Sequence, residues 1–275
     1  MLLTSAHCPV CSRAPTRTVE TAEPPFRVVR CQECGLVYVD PVPDATDLSR
    51  HYSRDYYAEW VSSQADKRRR MWARRLEAVA RVTPTGRLLD VGCGDGVFLN
   101  LAMESGWTVE GTEVSAWAAG YATRNIGRPI FCGEVWDARY PARCFDVVTL
   151  WPVLAHMSSP LRVLEEVRRV LKPTGRLVVA VPNVDDRVMQ AIYRVVKRRK
   201  PHLFSVADKE LHLYHFSVAS LKRLLDKAGF ACIEVGPDFG VVELPKKLIN
   251  YAAAGLSWCF NVHWYNSIHM TARRA

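Results

Sequence analysis

Four cysteines near the amino terminus stand in two C-x2-C pairs, Cys8-Pro9-Val10-Cys11 and Cys31-Gln32-Glu33-Cys34, separated by 19 residues. Each pair can place two thiolates on one knuckle of backbone, and four thiolates complete a tetrahedral zinc site. The set contains no histidine and leaves no ligand position open, so the zinc it predicts is structural. A module of ~45 residues has too small a core to fold securely alone, and bound metal would supply folding free energy. A second group is the run Leu88-Leu89-Asp90-Val91-Gly92-Cys93-Gly94-Asp95-Gly96. It follows an apolar stretch that reads as a buried strand, and it opens a helix. Glycines there let the backbone turn sharply and let a ligand approach with no side chain between. Glu113 ends the next strand, where a carboxylate can accept hydrogen bonds from both hydroxyls of a ribose. The spacing is G-x-G-x-G after an aspartate, not the G-x-G-x-x-G whose helix N-terminus faces a pyrophosphate.

Three histidines complete the candidates. His156 follows the fourth strand of the region described next, and His212 and His215 lie in Glu210-Leu211-His212-Leu213-Tyr214-His215-Phe216-Ser217. An imidazole titrates near neutrality and is a natural proton acceptor. Each could equally be a hydrogen-bonded structural histidine in a loop. Tyr56 and Tyr57 could close over a ligand or pack between module and core.

The elements that must position these residues change character along the chain. Residues 1–45 are rich in Pro and Cys, and 26–30 and 36–39 read as two strands flanking the second cysteine pair. Residues 46–84 read as a helical connector with many aromatics and bases, among them His51, Tyr52, Trp60 and Trp72. From residue 85, strands at 87–91, 108–113, 129–132, 145–151 and 176–181 alternate with helices at 97–105, 115–125 and 160–171. The last helix carries apolar residues at 161, 164, 167, 170 and 171. A further helix spans 217–228, with Ser217 as N-cap and Gly229 as stop. Strands at 231–235 and 264–272 follow, with a helical insertion near 241–262 between them. This pattern predicts an α/β protein. It has a Rossmann-like, seven-stranded, mostly parallel sheet with helices on both faces, and a small N-terminal zinc-ribbon-like module. The expected division is 1–45, 46–84 and 85–275.

The chain has 275 residues, 49% of them hydrophobic, and a formal charge of +9. That excludes global disorder and allows one large domain plus an accessory module. The basic balance suits an acidic partner (nucleic acid, anionic lipid or a phosphorylated substrate) or simply a cationic soluble enzyme. Besides the two pairs, five cysteines are scattered: Cys93, Cys132, Cys144, Cys232 and Cys259. This is no secreted disulfide framework and fits thiols kept reduced in a cytosol. No signal-peptide pattern is present, and the longest nearly apolar stretch, 251–262, falls short of the roughly 20 residues that span a bilayer. A cytoplasmic location is expected, with peripheral membrane contact left open. Lys67-Arg68-Arg69-Arg70 and Lys197-Arg198-Arg199-Lys200 read as solvated helix faces. The second run adjoins an apolar stripe of Val188, Ile192, Val195 and Val196. Together with 244–260 this reads as an interfacial surface, a dimer face or ordinary packing.

Over residues 85–235 the chain resembles the class I S-adenosylmethionine (SAM)-dependent methyltransferases. The glycine run matches their first motif and Val109-Glu110-Gly111-Thr112-Glu113 their second. Gly133-Glu134-Val135 falls where the family contacts adenine, and Phe145-Asp146-Val147-Val148-Thr149-Leu150-Trp151 matches the fourth strand. Leu171-Lys172-Pro173-Thr174-Gly175 matches the turn before the fifth, and Pro182-Asn183 follows that strand as in the family. The resemblance implies that Asp90, Gly92, Cys93, Gly94, Gly96, Glu113, Val114, Glu134, Val135 and Trp151 hold SAM. SAM carries no phosphate, so an acid at the turn can face its cationic amino group. Where the family often has Leu-Glu-His, this chain has Leu154-Ala155-His156, which weakens a metal-assisted mechanism there. The cysteine module, with Cys34-Gly35-Leu36-Val37-Tyr38-Val39-Asp40-Pro41 after it, resembles an N-terminal zinc domain on some bacterial methyltransferases. These include sugar C-methyltransferases and enzymes of glycan and natural-product pathways.

The resemblance implies methyl transfer to a small-molecule, sugar or glycan-type acceptor at O, C or N, with His156 or His212 as candidate base. An RNA methyltransferase using the zinc module and basic charge is the alternative within enzymes, though residues 31–60 are aromatic rather than basic. A non-catalytic SAM-binding scaffold is the third reading, in which Pro152 and Ala155 mark a lost site and bulky side chains would wall off the cleft. Oligomeric state is not specified by any of these features.

Overall fold

Three short antiparallel strands build the amino-terminal unit: β1 (Thr16–Thr21), β2 (Arg27–Cys31) and β3 (Val37–Asp40). The structure is a computed structural model. It describes residues 7–8, 10–13, 16–43, 48, 51–52, 54, 56–57, 65–238, 240, 244–260 and 262–275, with the side chains of 244–247 left aside. Pro9, Trp60 and much of the expected connector lie outside the described residues. Sequence pattern marks only β2 and β3. β1 has no buried residue and no apolar run, so nothing in its period betrays it. All four residues of β3 are buried, because a strand from far along the chain, β9 (Tyr214–His215), pairs with it at Val37↔His215 and Tyr38↔Tyr214. The order is β1-β2-β3-β9. Further bonds tie this unit down. The Glu20 carboxylate accepts from the Leu203 and Phe204 N–H groups, and Arg223 donates to the Cys34 carbonyl.

The large sheet comprises β4 (Arg87–Val91), β5 (Thr108–Glu113), β6 (Phe131–Cys132), β7 (Phe145–Leu150), β8 (Leu171–Pro182), β10 (Phe230–Pro237) and β11 (Ser267–Arg274). Their order is β10-β11-β8-β7-β4-β5-β6. Only β11 runs against its neighbours, so the sheet is seven-stranded and mostly parallel, as the sequence pattern predicts. Helices α1 (Ala65–Val82), α2 (Val97–Glu104), α3 (Ala116–Ile126), α4 (Pro160–Val170), α5 (Arg187–Val196), α6 (Val218–Lys227) and α7 (Leu244–Phe260) accompany it. β8 starts at Leu171 rather than 176. α4 abuts it without a loop, and Lys172 to Gly175 bulge between the pairs Phe145↔Leu171 and Val147↔Arg176. Ser217 caps α6 in a reciprocal box with Ser220, and Gly229 follows it with φ +79°.

Alternation along the central strands sorts the core into two layers. Val147, Val178 and Ala180 pack with Leu76, Val79, Phe98, Leu99 and Ala122 from α1, α2 and α3. Val148, Leu177, Val179 and Val181 pack with Leu164, Val167, Leu221 and Leu224, and this second layer continues into Val28, Val29 and Tyr38 of the small sheet. The cysteine unit therefore shares a core with the large sheet. At the carboxyl ends of the parallel strands, where the order reverses between β4 and β7, a cleft opens at the place such sheets bind ligands.

Candidate active site

The turn after β4 needs its glycines for two different reasons. Gly92 has φ +73°, and a Cβ there would stand 2.6 Å from Val153 Cγ1. Its N–H and that of Cys93 both donate to the Thr112 carbonyl, at 2.8 and 3.0 Å, locking the turn to β5. Gly94, φ +56°, sits under the Tyr57 ring: a Cβ would stand 3.7 Å from Tyr57 Cε1, in ordinary van der Waals contact. Gly96 does not line the cleft; a Cβ on it would strike Ile126 and Ala122 of α3.

Asp90, Gly92, Cys93, Gly94, Glu113, Val114, Glu134, Val135, Trp151 and His156 all line one cleft of about 620 Å³. A volume of that size accommodates a nucleoside and a small acceptor together. The Glu113 carboxylate accepts from the Gly94 N–H at 2.9 Å, the Ser115 N–H at 2.9 Å and the Tyr57 hydroxyl at 3.2 Å. Burial pushes its pKa up, and those three donors pull it back. Asp90 accepts from the Thr149 hydroxyl at 2.6 Å. Burial pushes it up to about 7, against that hydrogen bond and the charge of Arg75. Glu134 is also raised by burial, with Asp137 adding to the effect.

Basic residues on α1 enter the site from an unexpected side. Arg68 is buried and paired with buried Asp95 of the glycine turn, so this part of the Lys67–Arg70 run is not a solvated face. Arg68, Met71, Arg75, Leu76 and Val79 are buried at helical spacing, which turns two guanidinium groups inward. Arg75 donates to both Asp238 oxygens, at 3.1 and 2.6 Å, and lies between the Trp72 and Trp151 rings at 4.7 and 5.0 Å. Arg75→Ala leaves a buried carboxylate without its cation. We expect a stability loss of about 3–5 kcal/mol in urea denaturation; a loss under about 1 kcal/mol would show Asp238 to be adequately solvated.

His156 lies against the Leu211 carbonyl, with Nδ1 2.9 Å from the oxygen. A carbonyl only accepts, so Nδ1 carries the proton and Nε2 keeps the lone pair. The Tyr52 hydroxyl lies 3.1 Å from the same Nδ1. The His212 ring centroid is 4.6 Å from that of His156, and His212 Nε2 is 3.9 Å from Glu210 Oε2. Glu210 lines the cleft and His212 does not. Sequence alone misses Glu210: Ala155 stands where the family has a carboxylate, and a carboxylate arrives in space from a distant loop. Burial lowers His156 and His212 to about 4 and His215 to about 3. His215 Nε2 is buried without a hydrogen-bond partner among the described residues, and the residue serves β9 rather than the cleft.

The four amino-terminal cysteines converge. Cys8 Sγ is 3.3 Å from Cys34 Sγ, and Cys11 Sγ is 3.4 Å from Cys31 Sγ. All four sulfurs lie within 4.8 Å of one another and none is in a disulfide. Sulfurs about 2.3 Å from one zinc ion stand within this range of each other, so the donor set and its spacing fit that ion.

A seven-stranded sheet with one reversed strand, a glycine turn after β4 and an acid ending β5 define the class I methyltransferase architecture. The comparisons agree. The family model described as a methyltransferase domain matches residues 50–235, and the chain belongs to that family and carries its SAM-dependent domain. The ubiquinone biosynthesis O-methyltransferase of Haemophilus ducreyi is 31% identical over 162 residues, covering 54% of this chain and 66% of that protein. The demethylmenaquinone methyltransferase of Tropheryma whipplei is 27% identical over 157 residues, covering 55% of this chain and 65% of that protein. The chain thus spans just under two thirds of the length of these curated relatives. In structure, the magnesium protoporphyrin IX methyltransferase of Synechocystis, solved with bound SAH, superposes with a TM-score of 0.57 at 15% identity. That match covers 84% of this chain and 100% of the other, and at such identity it speaks for the fold.

Proposed function

We propose that this protein transfers a methyl group from SAM to a small-molecule acceptor whose nucleophilic atom carries a proton. The observation that carries the proposal is Glu113. It stands over the glycine turn, in a cleft that continues to His156. In this reading Glu113 takes the ribose hydroxyls, Glu134 and Val135 flank the adenine, and Asp90 and the turn meet the amino-acid end. Trp151 borders the methyl group. The named activities of the curated relatives, ubiquinone biosynthesis and demethylmenaquinone methylation, favour a small cyclic acceptor over RNA. The two buried guanidinium groups at the cleft are already paired with carboxylates, which also speaks against a phosphate track. Cys8, Cys11, Cys31 and Cys34 hold a structural zinc.

When bound, SAM would supply an electrophilic methyl on a sulfonium, which the acceptor's lone pair takes as the methyl–sulfur electron pair leaves on a neutral thioether. Holding the reactants in line and excluding water does much of this work. The acceptor's proton goes to His156 Nε2. The Leu211 carbonyl, accepting from Nδ1, favours the resulting imidazolium. His156→Gln should lower kcat by about 10²–10³ while SAM affinity stays unchanged. Because burial holds His156 near 4, kcat/KM should be flat through neutral pH. It should fall only as pH drops through about 4, where protonation removes the lone pair. Unchanged kcat in the variant, or an acid limb in the ordinary imidazole range, would remove His156 from this role.

A further inference from the structure

One outer helix inverts the usual polarity of a surface helix, which turns its apolar stripe inward and its charges outward. In α7, residues 248–260 read Leu-Ile-Asn-Tyr-Ala-Ala-Ala-Gly-Leu-Ser-Trp-Cys-Phe and contain no charge. The anchored side is mainly polar. Asn250 accepts from the Asn266 N–H at 2.9 Å and donates to the Asp238 carbonyl at 3.4 Å, and Ser257 Oγ accepts from the Trp264 N–H at 3.2 Å. At 100° per residue, Leu248 and Tyr251 fall on the opposite side and Trp258 on the flank. They are exposed, Trp258 to 89% and Leu248 to 63%, with Phe260 exposed nearby. α5 has no buried residue at all. Val195 and Val196 are 79% and 72% exposed, and Lys197, Arg198, Arg199 and Lys200 follow directly, all exposed. One residue joins the two helices: the Asn266 side chain donates to Asp186, the N-cap of α5, while its N–H donates to Asn250 of α7. Asn266 also lines the cleft.

We propose that α5 and α7 dock together on an anionic lipid surface, with Trp258 and Phe260 in the interface and the basic run against headgroup phosphates. Exposed apolar and aromatic side chains beside a basic cluster ask for a partner that offers hydrocarbon and negative charge together, and a lipid surface offers both. A second copy of a chain of charge +9 offers the apolar part but little negative charge for the basic run. Among the described residues no helix is long and apolar enough to cross a membrane, so α7 lies in the plane of the interface. Resting on the methyltransferase reading above, Asn266 bonds to both helices and lines the cleft, so an amphiphilic acceptor drawn from the lipid would meet the site beside them.

The test uses the zinc-loaded full chain in vesicle cosedimentation, with vesicles of phosphatidylcholine alone and of phosphatidylcholine mixed with phosphatidylglycerol. The protein should pellet with the mixed vesicles and be released by salt. The variants W258S/F260S and R198E/R199E should each weaken binding by roughly tenfold or more and leave SAM affinity unchanged. Wild-type protein remaining in the supernatant with both vesicle types would overturn the proposal. So would vesicle binding indifferent to both variants. Dissociation of a dimer by W258S/F260S, without any vesicle binding, would assign the face to self-association instead. SAM binding is read separately, so failure of the methyltransferase reading cannot be mistaken for failure of this one.

Discussion

Serine at Cys8 or Cys34 should abolish stoichiometric zinc and lower the melting temperature by about 10–20 °C. The magnitude follows from the site. Both residues are buried, and all four sulfurs converge. Structural zinc sites bind with apparent free energies of about 10–16 kcal/mol, which in such modules is folding free energy. Losing even about 5 kcal/mol of that moves the midpoint of a chain of this size by the stated amount. The damage should also travel. β3 pairs with β9, and β9 follows the loop that holds Glu210 and His212 beside His156. We therefore expect the variants to lose methyl transfer even where the large sheet stays folded and SAM still binds. Metal analysis of the purified protein and thermal melting check this. Native protein without zinc, or variants that melt with the wild type, would refute the assignment.

Glu113→Ala should weaken SAM binding by about 10²-fold. Hydrogen bonds to a charged acceptor contribute about 1.5–3 kcal/mol each, and the ribose offers two hydroxyls. Some of that is offset, because the free carboxylate already receives the Gly94 and Ser115 N–H groups and the Tyr57 hydroxyl. Glu113→Gln keeps the shape and one accepting oxygen, so its loss should be intermediate. Titration calorimetry on both variants, with circular dichroism as the control for folding, gives the ranking. Equal affinity across wild type and both variants would place the ribose elsewhere.

The large sheet is legible in sequence because its signals are local. Apolar runs in β4, β7 and β8 are bounded by turn residues, and Ser217 and Gly229 punctuate α6. The glycine turn and Glu113 are legible for the same reason: each sits at the end of a strand whose period is clear. What escapes pattern reading depends on partners distant in the chain. Arg68 and Arg75 look like members of a solvated basic helix until Asp95 and Asp238 meet them in space. Glu210 looks like an ordinary loop acid beside a gap at Ala155. β9 is two residues long and exists only because β3 offers it an edge. The start of β8 escaped because α4 runs into it without a turn residue to mark the boundary.

The most direct test of the central claim is calorimetric titration of SAM, and then of its demethylated product, into the folded full chain. The account predicts saturable binding of one SAM per chain, competed by the product and weakened in the order wild type, Glu113→Gln, Glu113→Ala. A folded, zinc-loaded protein that takes up no SAM would contradict it.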